Sequence, residues 1–246
     1  VTAAVPVELP GGWEVIGGAL NGGALLRAAT TALGERVPHP DPVTVTGHFL
    51  GPGRPGPATL AARILRRGGR HSTAAATLRQ DGHDVVAVLA TFGDLAAVGP
   101  ARRAAPDLPP PEACVRIVPE EIPGAPAVFD RIDVRLDPRS AGFLRGAPTG
   151  RGEMAGWVRV PGGTGTAGLV LLADVFPPAI FDHGVLGWVP TVELTVHCRR
   201  RPPEGWIAAR FRTRHVTGPY LEEDGELWDA AGNLLALSRQ LALAPR

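Results

Sequence analysis

The chain has 246 residues, of which 44% are hydrophobic and 20% charged. That is enough for one large domain or two of about 120 residues, and it excludes a disordered chain. The formal charge is +1 and all 25 basic residues are arginines, which removes any electrostatic case for nucleic acid and excludes a lysine Schiff base or a lysine phosphate loop.

In chain order, a short opening segment around Trp13–Ile16 precedes a predicted helix starting near Asn21. Leu25, Ala29 and Leu33 recur at helical spacing, and Asn21 suits an N-cap. Asp41, between Pro40 and Pro42, reads as a turn former. Four strand-like runs follow, Val43–Phe49, Ala58–Arg67, His71–Gln80 and Val85–Phe92, broken at Gly51-Pro52-Gly53, Gly68-Gly69 and Asp81-Gly82. Residues 98–127 are rich in proline and alanine and read as a connector. Beyond it, strands are expected at Arg131–Leu136 and Met154–Val160, then a helix beginning after Asp174 with Pro177 and Pro178 in its first turn. Strands are expected again at Thr191–Cys198, Trp206–Arg214, Tyr220–Trp228 and Asn233–Leu243. In the last, Ala236, Ser238, Gln240 and Ala242 share a face.

The second half echoes the first about 148 positions on: Pro42-Val43-Thr44-Val45 returns as Pro190-Thr191-Val192-Glu193, and Thr59-Leu60-Ala61-Ala62-Arg63 as Trp206-Ile207-Ala208-Ala209-Arg210. A helix followed by a strand meander, twice, predicts an α+β protein of two fused units, each a central helix wrapped by a curved antiparallel sheet. The domain reading is residues 1–97, the connector 98–127, and residues 128–246. A duplicated unit needs one working site. The second copy carries the more reactive set, Leu172-Ala173-Asp174 standing where the first has Leu20-Asn21-Gly22-Gly23.

On these residues the chain resembles the acyl-CoA thioesterase II family, whose members are double hotdogs. The likeness runs from the Leu20–Gly23 helix start through the Leu65–Ser72 hairpin and the Gln80-Asp81-Gly82 turn to the last strand. Asp174, Thr191 in Pro190-Thr191-Val192-Glu193-Leu194, and Gln240 in Ser238-Arg239-Gln240 match the residues with which that family activates a water. The resemblance implies a cytoplasmic hydrolase of lipid metabolism acting on an acyl-CoA, working without a metal or other cofactor, and a homodimer in which sheet edges pair. It departs at Glu193-Leu194, where the family often has Asp-His. That departure leaves room for an alternative: a non-catalytic acyl-CoA or acyl-carrier binding protein of the same fold.

Thioester hydrolysis needs a positioned water, a base and a stabilised oxyanion. Asp174 suits the base, and the Thr191 hydroxyl and Gln240 amide suit orientation of the water. A helix N-terminus offers free N–H groups for the oxyanion, and Asn21, Gly22 and Gly23 are the substrate-binding candidates, the glycines allowing close approach of backbone to acyl group. Taken singly, Asp174 also reads as an N-cap, Thr191 as an ordinary strand residue, Gln240 as a solvent-facing strand residue, and Asn21 as a cap. Arg70, with Arg66-Arg67, and the Arg199-Arg200-Arg201 run either receive coenzyme A phosphates or solvate a strand face; the Arg70 turn has the better claim. His183 to Pro190 resembles the HxxxGxxxxP motif of polyketide dehydratases with the proline two positions early, and His183 reads as a loop residue. Cys114 and Cys198 lack metal spacing or a CxxC motif and read as thiols of a reducing compartment. The apolar run at Gly168–Phe176, interrupted by Asp174, is too short to span a bilayer, and no signal-peptide pattern is present.

Overall fold

The first half of the chain builds one helix and the strands that wrap it. A computed structural model describes residues 3–96, 105–121 and 125–245. Strand β1 (Ala3–Leu9) precedes α1 (Gly22–Gly34), and the meander β2 (Asp41–Phe49), β3 (Gly56–Arg67), β4 (Ser72–Gln80) and β5 (His83–Gly93) follows. Leu25, Leu26, Ala29 and Leu33 form the buried stripe of α1, so the helix lies on the sheet by its apolar face. Asn21 caps it, accepting from the Ala24 N–H at 3.0 Å. The sequence reading passed over β1 because Pro6 interrupts its Val5-Pro6-Val7 pattern. Among the described residues the strand pairs only with β3, at the edge of the sheet, where proline is tolerated.

The second half contains β6 (Val115–Arg116), β7 (Asp133–Leu136), β8 (Glu153–Arg159), α2 (Gly165–Leu172), β9 (Thr191–Cys198), β10 (Ile207–Arg212), β11 (Val216–Thr217), β12 (Tyr220–Asp229) and β13 (Leu234–Leu243). Residues 98–104 and 122–124 of the expected connector lie outside the described residues. The helix is displaced from its expected place: α2 ends before Asp174 instead of starting after it. Leu169, Val170, Leu171 and Leu172 are all fully buried, so the last turn of α2 has no solvent face and leaves no periodic pattern in the sequence. Pro177 and Pro178 precede a short 3-10 turn at Ala179–His183.

All strands join one antiparallel sheet in the order β1-β3-β4-β5-β2-β9-β13-β12-β10-β8-β7-β6, with β11 pairing β12 off this path. The two halves meet where β2 pairs with β9, in the register Thr46↔Thr195, and those two hydroxyls lie 2.9 Å apart. These are the strands that open the two sequence repeats. Each half therefore contributes one curved sheet around one helix, and the fold is the double hotdog. Buried residues of both halves, Leu26, Leu33, Val45, Phe92, Leu169 and Val196 among them, form one continuous core.

A polar clamp ties the halves at the opposite end of α1 from its cap. Asp41 is 4% exposed and accepts from the Leu95 N–H (2.9 Å), the Thr166 hydroxyl at the start of α2 (2.9 Å) and the Arg201 guanidinium (2.8 Å). Burial pushes the Asp41 carboxyl up, but Arg201, the Leu95 amide and Thr166 outweigh it and hold it below the usual carboxylate range. Arg201, from the arginine run weighed as a phosphate site, is thus engaged with Asp41 and with Asp94 at 3.1 Å. Asp41→Ala strands three donors, two of them on the other half of the molecule. It is expected to cost about 2 kcal/mol in urea unfolding, whereas Arg79→Ala, which breaks the exposed pair with Asp84, should leave the midpoint unchanged.

Candidate active site

The N-terminus of α1 faces the C-terminal end of α2, and Asp174 sits at that junction. Its Oδ2 accepts from the Gly23 N–H at 2.8 Å and from Asn21 Nδ2 at 3.0 Å, and Asn21 Nδ2 also reaches the Asp174 carbonyl at 2.8 Å. Asn21 therefore faces two ways, its Oδ1 capping α1 and its amide nitrogen gripping Asp174. The glycine at 23 is obligatory here. A Cβ would lie 2.8 Å from the Leu171 carbonyl oxygen and 2.9 Å from the Asp174 Cβ. Close approach at Gly23 is thus to α2 and Asp174 instead of to a ligand, and the Gly23 N–H is committed to the carboxylate. Gly22 lines the cavity beside it, and its N–H belongs to the first helical turn, whose donors have no partner within the helix.

The cavity has a volume of about 750 Å³. Leu25, Phe49, Phe143, Phe176, Phe181 and Phe211 give it a largely apolar lining, and Asn21, Asp174, Thr191, Glu223 and Gln240 supply its polar side chains. Ile16, Leu50 and Trp188, which line it too, are 57%, 57% and 48% exposed and make an apolar mouth. Both halves contribute walls, with most polar side chains coming from the second.

Thr191 opens β9 and Gln240 lies at a buried position of β13, as strand alternation requires. The Thr191 hydroxyl donates to Gln240 Oε1 at 2.9 Å, and Gln240 Nε2 donates to Glu223 Oε1 at 2.9 Å. Glu223 Oε2 accepts from the Ala179 N–H at 2.5 Å. Glu223 escaped the sequence reading, yet it left a signal. Leu221, Glu223, Gly225 and Leu227 share the buried face of β12, so the alternation alone points an acid inward.

Burial pushes the Asp174 carboxyl up to about 6, even though Gly23 and Asn21 pull against it. Burial pushes Glu223 to about 7, and the charge of Asp174 adds to that rise while the Ala179 amide and Gln240 oppose it. Carboxyls lifted toward neutrality inside a cavity are suited to exchanging protons with a bound reactant.

Five other residues singled out in the sequence stand elsewhere. Arg70 is in the β3–β4 turn, whose Gly69 carbonyl is 3.2 Å from His39 Nε2 and whose Arg67 guanidinium reaches the Arg36 carbonyl. That turn is at the C-terminal end of α1, about 20 Å along a 13-residue helix from Asp174, and Arg70 does not line the cavity. The structure thus parts Arg70 from Asn21, Gly22 and Gly23. His183 ends the 3-10 turn, with Nε2 3.3 Å from the Thr213 carbonyl, outside the cavity lining. Cys114 and Cys198 are unpaired thiols; burial pushes Cys198 up to about 12, far from a nucleophilic thiolate. Glu193, the departure from the family pattern, accepts from the Thr195 hydroxyl at the seam between the halves at 2.5 Å and is absent from the cavity lining. Among the described residues no three His, Cys, Asp or Glu side chains gather as a metal would require, and no helix is long and apolar enough to cross a membrane.

Comparison with known proteins agrees with this architecture. A candidate thioesterase II from Thermobifida fusca YX superposes with a TM-score of 0.88 at 32% identity, over 99% of this chain and 92% of that one. A hot dog protein of unknown function from Alicyclobacillus acidocaldarius superposes at 0.85 with 22% identity, over 100% and 96%. An uncharacterized protein of Mycobacterium tuberculosis is 31% identical over 97% of this chain and 90% of its own length. Residues 9–93 match the acyl-CoA thioesterase N-terminal domain and residues 100–244 the acyl-CoA thioesterase C-terminal domain, and the chain belongs to the acyl-CoA thioesterase family.

Proposed function

We propose that the protein hydrolyses an acyl-CoA thioester by direct attack of water, with Asp174 as general base and Thr191 and Gln240 orienting the water. The observation that carries this reading is the common cavity wall bearing these three side chains, where the one acid gripped by a helix N-terminus has its pKa lifted to about 6. The water gives one proton to Asp174 as its oxygen bonds to the thioester carbon. The carbonyl electrons move onto oxygen, and the Gly22 N–H at the positive end of α1 is placed to meet that charge. Collapse of the intermediate re-forms the carbonyl and breaks the C–S bond. The thiolate recovers the proton from Asp174, leaving a carboxylic acid and a thiol.

The apolar lining accommodates the acyl chain, and the apolar mouth at Ile16, Leu50 and Trp188 gives it a path inward. The binding-protein alternative rests on the Glu193-Leu194 departure, and Glu193 bonds Thr195 at the seam between the halves, outside the cavity lining. A cytoplasmic setting and a homodimer belong to the same proposal, resting on family resemblance.

Thiol release from a panel of short, medium, long, branched and aromatic acyl-CoAs tests the reading. Asp174→Asn is expected to lower kcat by at least about 100-fold with KM little changed; full activity in that variant contradicts the mechanism. The same ionisation bears on stability. Asp174 has a folded pKa above its unfolded value, so its contribution is fully present below about pH 4 and is lost as pH rises through about 6. Asp174→Asn should therefore flatten the decline in unfolding free energy between about pH 4 and 7, measured by urea titration; an unchanged slope would count against a carboxyl raised by burial.

A further inference from the structure

Glu223 is 6% exposed, and among the described residues no arginine pairs with it. Both of its oxygens face donors, the Ala179 N–H and Gln240 Nε2. An ionised carboxylate only accepts, so it forces the Gln240 amide to turn its nitrogen toward Glu223 and its carbonyl toward Thr191. The Thr191 hydroxyl must then spend its proton on that carbonyl. Its lone pairs are left for the cavity.

We propose that Glu223 is a positioning residue, whose carboxylate sets the direction of the Gln240–Thr191 hydrogen-bond chain so that Thr191 meets the attacking water as an acceptor. This rests on the water mechanism above and completes it. A water that gives one proton to Asp174 and points the other at Thr191 keeps its lone pair for the thioester carbon. Protonation of Glu223 reverses the chain. Oε2 is held by Ala179, so the new O–H on Oε1 donates to the Gln240 carbonyl, the amide nitrogen turns to Thr191, and the Thr191 proton turns into the cavity, where it occupies the water's lone pair.

The charged groups acting on Glu223 are Asp174 across the cavity and Asp224 next along β12. Asp224 points to the other face, held by Arg239 at 2.7 and 2.9 Å and by Arg214 at 3.0 Å. Burial first, and both acids after it, disfavour the charged form of Glu223, which places the reversal near neutral pH.

The sequence contains two glutamines, Gln80 and Gln240, so selective ¹⁵N labelling of glutamine side chains gives two amide signals to follow by NMR. Gln80 ends β4 next to an exposed turn and bonds the Arg54 backbone. The Gln240 signal is expected to titrate with a midpoint of about 7, to titrate still but at a lower midpoint in Asp174→Asn, which removes a neighbouring charge, and to lose the titration in Glu223→Gln. In kinetics at about pH 8, Glu223→Gln should lower kcat about 10- to 100-fold, the range for losing an outer partner that orients a working ligand, with KM within about 2-fold. Its pH profile should lose the upper ionisation, and Glu223→Asp, which keeps the charge, should recover part of the rate. A Gln240 amide that does not titrate between about pH 5 and 9 in the unaltered protein, or a Glu223→Gln enzyme with unchanged kcat and pH profile, overturns the proposal. Should the Glu223 variants fail to fold, the titrations of the unaltered protein and of Asp174→Asn decide. Full activity in Asp174→Asn alongside a titrating Gln240 would sink the water mechanism while leaving the hydrogen-bond chain as assigned.

Discussion

The contact on which the site depends is the seating of the Asp174 carboxylate on the first turn of α1. Asn21 closes the helix with one end of its amide and holds Asp174 with the other, and Gly23 supplies both a backbone donor and the missing side chain that lets α2 come close. The two halves of the duplicated fold are therefore joined by the β2–β9 ladder in the sheet, by the Asp41 clamp and by this junction of helix ends. The last of these joints leaves a buried acid facing a cavity. Strands β9, β12 and β13 close the opposite wall, so the polar chain from Thr191 to Glu223 is positioned by sheet register.

Charge compensation separates the two acids of the cavity from structural ones. Asp41 and Asp224 meet arginine, and Asp182 is wrapped by the Thr149 hydroxyl and the amides of Thr149, Arg151 and Glu153. All three are held below the ordinary carboxylate range. Asp174 and Glu223 have fewer donors, all neutral, and burial prevails in both. In a chain whose only basic side chains besides histidine are arginines, withholding arginine from the cavity leaves these two acids near neutrality.

Much of the fold was legible because its strands alternate and its turns are marked by glycine and proline. The runs at Val43–Phe49, Ala58–Arg67 and Thr191–Cys198 fall within a residue or two of β2, β3 and β9. The second helix was not, because a helix whose last turn is buried on every side shows no period there, and Asp174 followed by two prolines imitates a cap and first turn. Asp174, Thr191 and Gln240 were singled out through family likeness, and the fold sets all three around one cavity. The grip of Asn21 on Asp174 spans 153 residues, and no local pattern carries such a contact. Glu223 was legible in principle, since it breaks the apolar face of β12. The distance of Arg70 from the cavity was not legible, because a glycine turn rich in arginine says nothing about which end of the helix it will occupy.

The central claim is that water, activated by Asp174, attacks the thioester directly, with no acyl group passing to the protein. A single turnover in ¹⁸O-water, with enzyme in excess over the preferred acyl-CoA, tests this claim most directly. Direct attack predicts one ¹⁸O atom in the acid released in that first turnover and none in the protein. An unlabelled first-turnover acid, with ¹⁸O recovered in the Asp174 carboxyl, would show that Asp174 is the nucleophile and contradict the account.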